Sequence, residues 1–147
     1  MANYTDSLGF FKNSAAFPAK GNDSLSLISV DLDFAAIAAA REAAGAAALA
    51  ATDTLEVLPL PAGTLVLAAG AEVTTVEGAV ATMDLGDAAS ATRFLTNADL
   101  NAAGNTASAL ANPHFYSAET KVRITLDHND IDTAVVRLWF VVVNTNS

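Results

Sequence analysis

At 147 residues, 52% of them apolar and only 16% charged, the chain is long enough to bury a core without covalent staples. Sixteen acidic residues against seven Lys and Arg leave a formal charge of −9. Such a surface repels phosphate backbones and anionic lipid, so neither nucleic acid nor a membrane is expected as a partner. The chain has no cysteine, which excludes disulfides, thiolate metal sites and thiol nucleophiles together.

Residues 1–24 differ from the rest. Tyr4, Phe10, Phe11, Phe17 and Pro18 stand among Asn, Ser, Asp and Gly without a steady period. Disordered tails are poor in aromatic residues, so this segment reads as an extended N-terminal arm. It either packs on its own domain or orders against a neighbouring subunit. It carries neither a basic start nor a continuous apolar stretch, and no secretory leader is expected.

Residues 25–147 read as one β-sandwich domain. In "LSLISVDLDF", Ile28, Val30, Leu32 and Phe34 share one face, while Ser29, Asp31 and Asp33 share the other. That alternation describes a half-buried strand. The alanine-rich stretch after it predicts a helix over 35–44, ended by Gly45. With so few bulky side chains it reads as a connecting lid. "DTLEVLPLP" gives a strand that Pro59 and Pro61 confine to a strand end or a sheet edge. A "PAG" turn, a short strand over 65–67, a bend at Gly70 and a strand around Met83 and Leu85 follow. Residues 87–112 are loop-like, and a loop so long in a compact domain predicts a short strand near 93–95. Short strands punctuated by Gly and Pro point to a sandwich or a barrel, and the expected fold is a mainly β, antiparallel sandwich of jelly-roll-like form.

The last two strands carry the sharpest signal. In "KVRITL", Val122, Ile124 and Leu126 oppose Lys121, Arg123 and Thr125. In "AVVRLWFVVV", Ala134, Val136, Leu138, Phe140 and Val142 form a wholly apolar core face. Val135, Arg137, Trp139, Val141 and Val143 form the other, too apolar for open water yet holding a charge. A hairpin centred near Asp130 would set Arg123 opposite Arg137, a repulsive pairing that calls for a carboxylate between them. Asp31 and Asp33 are the candidates. The second face is covered either by a loop or the alanine helix of the same chain, or by another subunit, since aromatic residues and Arg are enriched at interfaces.

Catalytic patterns are missing. His114 and His128 are the only histidines, and neither a nucleophile elbow nor a phosphate-cradling glycine loop occurs. "DHNDID" clusters Asp127, Asn129, Asp130 and Asp132, but Asp132 and Leu138 stand where a calcium loop needs Gly and Glu. A turn explains these residues better, and the same holds for Asp84 and Asp87 in "DLGD". No catalytic residue, metal or cofactor is assigned, and the chain is not expected to be an enzyme.

"LEVLPLPAGTLVLAAGAEVTTVEGAVATMDLGD" together with "VVRLWFVVVN" resembles small virion structural proteins of tailed bacteriophages, cyanophages above all. The resemblance implies a β-sandwich that assembles as a homotrimer and decorates, or cements, a shell of major capsid protein. Localisation on the capsid surface follows from it. Phe10, Phe11, Phe17, Arg123, Arg137 and Trp139 are then the expected subunit or capsid contacts. The alternative is a head or tail fibre knob that binds a receptor or glycan.

Overall fold

The structure is a computed structural model that describes residues 3–5, 12–13, 25–108 and 113–145. Two sheets pack face to face. The first has the order β1 (Asn3–Thr5), β4 (Thr54–Leu60), β10 (Thr120–Leu126), β6 (Thr82–Gly86) and β7 (Leu95–Asp99). The second has the order β2 (Lys12–Asn13), β3 (Leu25–Asp33), β11 (Val135–Asn144), β5 (Thr64–Thr75) and β8 (Gly104–Ala107), with β9 (His114–Tyr116) also paired to β5. All pairings are antiparallel except that of β1 with β4. From β3 the chain alternates between the sheets, apart from the neighbours β6 and β7 and the pair β8 and β9. The result is jelly-roll winding.

This winding explains the greasy final strand. β11 is a central strand, paired along nearly its whole length with β3 on one side and β5 on the other. Its residues Val136, Leu138, Phe140 and Val142 are fully buried. Across the sandwich they meet Val122, Ile124 and Leu126 of β10, with Leu55, Leu58 and Leu60 of β4 and Met83 and Leu85 of β6 in the same core. The ring of Phe94 meets Phe140 edge-on, centroids 6.4 Å apart, an arrangement the ring quadrupoles favour.

The expected hairpin between the last two strands does not form. β10 and β11 lie in opposite sheets, so the "DHNDID" segment crosses the end of the sandwich instead of turning back on itself. Asn129 Oδ1 accepts from the amide of Ala51, and the amide of Asp130 donates to Leu49 O, which ties the crossing to the loop after the helix.

The helix α1 (Phe34–Ala43) starts one residue earlier than its alanine run suggests, because Asp33 is its N-cap and accepts from the amide of Ala36 at 3.1 Å. At the other end the amide of Ala46 donates to Arg41 O and that of Gly45 to Glu42 O, with Gly45 at φ +72°. This doubly bonded stop needs a left-handed residue, and glycine adopts that conformation without a Cβ penalty. Phe34 and Ile37 are its buried side chains, which suits an end cap rather than a cover over either sheet.

Two further expectations change. Gly70 does not bend the chain: β5 runs unbroken through it for 12 residues. The described part of the 87–112 region holds two strands, β7 and β8, and the first begins at Leu95, where the expected short strand ends. Pro59 lies within β4 opposite Lys121, beyond the stretch 54–56 that β1 pairs, and so on an edge among the described residues, as expected.

Candidate functional site

The winding separates the predicted contact residues. Arg137 and Trp139 project from the outer face of the β2–β3–β11–β5–β8 sheet, whereas Arg123 projects from the outer face of the opposite sheet. They therefore share no surface, and Arg123 does not oppose Arg137. Each arginine has its own carboxylate. Arg137 Nε donates to Asp31 Oδ1 at 2.8 Å, on the directly paired residue of β3. Arg123 Nη2 stands 3.6 Å from Glu56 Oε1, again on its ladder partner, and Lys121 Nζ lies 3.2 Å from Glu56 Oε2. Cross-strand pairs of this kind stabilise a sheet modestly. Phe10, Phe11 and Phe17 lie outside the described residues.

Trp139 is half-buried. Its ladder partner on β5 is Gly70, and a Cβ there would collide with the indole ring. The glycine is thus a seat for the ring. Stretched across β5, the indole donates from Nε1 to Asn105 Oδ1 on β8 at 3.0 Å. Trp139, Asn105, Asp31 and Arg137 make one mixed aromatic and polar surface, and Glu72, the β5 partner of Arg137, continues it. The cover on Trp139 comes in part from its own sheet, through Asn105. The alanine helix caps the end of the sandwich instead.

Sequence reasoning missed a densely bonded buried side chain, Asp87. It is 2% exposed. Its Oδ2 accepts from Arg93 Nε at 2.5 Å and from the Tyr116 hydroxyl at 2.6 Å. Its Oδ1 accepts from the amides of Ala89 and Ser90, each at 2.9 Å. Arg93 Nη1 lies 3.2 Å from His114 Nδ1. A guanidinium cannot accept, so Nδ1 is the acceptor and the ring proton sits on Nε2. The His114 ring meets Tyr116 edge-on at 4.6 Å.

Burial alone would raise the Asp87 carboxyl, but the hydrogen bonds from Arg93, Tyr116 and Ser90 outweigh it and hold the group below its ordinary value. Burial and the bond to Asp87 push the Tyr116 phenol far above its own. Burial, then the Arg93 charge, lowers His114. With every near donor spoken for and the phenol locked in its neutral form, the arrangement is a clasp. It joins the end of β6, the loop after it and β9. Its side-chain partners lie 6 and 29 residues from Asp87. The only trace in the sequence was "DLGD", read there as a turn.

Glu77 is a second buried carboxylate, and its Oε2 accepts from the amides of Thr133 and Ala134 at 3.0 Å each, just before β11. His128 sits in the crossing segment, where its Nδ1 accepts from the amide of Thr82 at 3.4 Å. Asp127 accepts from the Thr82 hydroxyl and Asp132 from that of Thr133, so these carboxylates serve the crossing between the sheets and not the hairpin turn expected of them.

No protein-family model matches the chain, and no curated protein matches it. Solved structures do. A chain in the capsid of Ralstonia phage GP4 aligns at TM-score 0.62 and 15% identity, over 90% of this chain and 93% of that one. A chain in the acidic stable capsid structure of Helicobacter pylori bacteriophage KHP30 aligns at 0.57 and 12% identity, over 85% and 91%. One in the cyanophage Pam1 capsid asymmetric unit aligns at 0.56 and 21% identity, over 88% and 91%. At these identities the likeness is one of fold. It extends over almost the whole of each chain.

Proposed function

We propose that this chain is a structural protein of a phage virion, a trimeric decoration (cement) protein that sits on the capsid surface and stabilises the major capsid lattice. One observation carries the reading: the fold recurs, nearly end to end, in chains of three phage capsids. Coverage is about equal in both directions, so the matched chains are of similar length to this one. A short jelly roll with a clasped, fully bonded carboxylate network suits a rigid fitting on a shell better than a catalyst.

The work of such a protein is thermodynamic. Binding the assembled lattice but not its free subunits stabilises the lattice by mass action, about 2.7 kcal/mol per site at 100 times the dissociation constant. A trimer that engages several capsid subunits adds avidity without new contacts. Arg123, Arg137, Trp139 and the aromatic arm with Phe10, Phe11 and Phe17 are the proposed contacts with capsid and sister subunits.

The test compares particles with and without the protein under heat and osmotic shock. Decorated shells should survive a higher temperature. Equal survival removes the cementing role, and labelling confined to one vertex would replace it with a tail or head fibre knob.

A further inference from the structure

The outer face of the β3–β11–β5 sheet is divided along the strands. At one end lie the charges: Asp31, Arg137 and Glu72 are ladder partners across three strands. At the other end the ladder aligns Leu25, Val143, Leu65 and Phe115 across four strands, β3, β11, β5 and β9. The next outward-facing row holds Leu27, Val141 and Ala68. Neither row contains a charged residue. Leu25, Leu27 and Phe115 are 66%, 62% and 51% exposed, each on a different strand or turn of the pleat. Neighbouring strands lie about 4.8 Å apart, so four strands spread these side chains over roughly 14 Å. Exposed apolar side chains gathered on one sheet face and bordered by polar residues point to an interaction site.

We infer that this apolar end is the self-association surface of the protein, the place where copies of the chain meet around a rotation axis. The inference rests on the oligomeric part of the reading above and identifies the surface that serves it. Charge selects the occupant. A chain of net charge −9 resists contact with its own copies wherever carboxylates would meet. The two leucine and valine rows are free of charge, and the carboxylates of this face, Asp31, Asp33 and Glu72, sit at its far end. A basic partner would find nothing here to pair with. A second copy brings a patch of identical size and equal neutrality, and the same surface on each copy facing one axis is how cyclic oligomers close. Trp139 borders the patch and begins the polar rim.

The test is the solution mass of the full chain over a range of concentrations, measured by sedimentation for the wild type, Leu27→Asp, Phe115→Asp and Lys121→Ala. Leu27 and Phe115 are mostly exposed, so far-ultraviolet circular dichroism should match the wild type for both. The wild type should sediment as a multiple of the chain mass. Each aspartate should weaken association at least tenfold and yield single copies. Lys121→Ala, on the opposite sheet, should leave the mass unchanged. A wild type that is a single copy at every concentration overturns the inference, and so do aspartate variants that keep the multiple mass. Loss of shell binding by the aspartate variants of a single-copy wild type would assign the patch to the capsid instead. Single-copy variants that still bind shells would support the inference and leave the capsid role standing. A multimeric wild type that fails to protect shells would sink the capsid role alone.

Discussion

Replacing Asp87 by Asn tests the clasp at its centre. The substitution preserves shape, and its carbonyl oxygen can keep the amides of Ala89 and Ser90 that now bond Oδ1. The new NH₂ group takes the place of Oδ2 and points at two donors. Tyr116 can rotate its hydroxyl and accept, but Arg93 Nε–H cannot. The loss is one short charge-assisted hydrogen bond, about 1.5–3 kcal/mol, together with a part-buried guanidinium left without its counter-charge. Breaking a fully buried pair costs about 3–5 kcal/mol. Arg93 keeps 24% of its side chain exposed, so water screens part of that penalty. The expected total is about 3 kcal/mol, or roughly 10 °C in melting temperature for a chain of this size.

Acid should narrow the difference. Asp87 titrates below its ordinary value of 3.8 in the folded chain, so its stabilisation is complete above that value and is lost as pH falls through the folded one. Melting followed by circular dichroism at neutral pH and again at pH 3 would measure both effects. A variant that melts within about 2 °C of the wild type at neutral pH would refute the clasp as a stabilising element.

Other outcomes follow from single contacts. His114 is held below 6.5 in the folded chain, so its contribution is present above 6.5 and declines as pH drops through the lower folded value; His114→Gln should remove that part of the acid response in the same melting series. Gly70→Ala places a methyl group where the Trp139 indole lies. It should cost about 1–3 kcal/mol, as overpacking does, and shift tryptophan emission to the red as the ring is displaced toward water. Gly45→Ala meets open space but is held at φ +72°, so its cost is conformational alone, about 1 kcal/mol in urea unfolding. Arg123→Met should lie within about 1 kcal/mol of the wild type, because Arg123 Nε is buried without a hydrogen bond and Glu56 retains Lys121.

Side-chain parity was the legible layer of the sequence. The alternation in 25–34 and 134–142 assigned inward and outward faces that the structure keeps, because a half-buried strand imposes period two on its residues whatever its neighbours are. That Asp31 or Asp33 could answer the charge of Arg137 was legible for the same reason, and the structure selects Asp31. Winding was not. Strands adjacent in sequence usually pair, so "LDHNDID" read as a hairpin, whereas it carries the chain from one sheet to the other. Gly70 read as a bend because its actual reason is a ring 69 residues later. Asp87 stayed hidden because a buried carboxylate is recognised by its donors, and Arg93 and Tyr116 come together only once β9 docks on β5.

Imaging the intact virion by electron cryomicroscopy tests the central claim most directly. The account predicts density for this two-sheet fold at many symmetry-related points on the outside of the shell, with neighbouring copies in contact. Density at a single vertex, or particles that carry no copy of the chain, would contradict it.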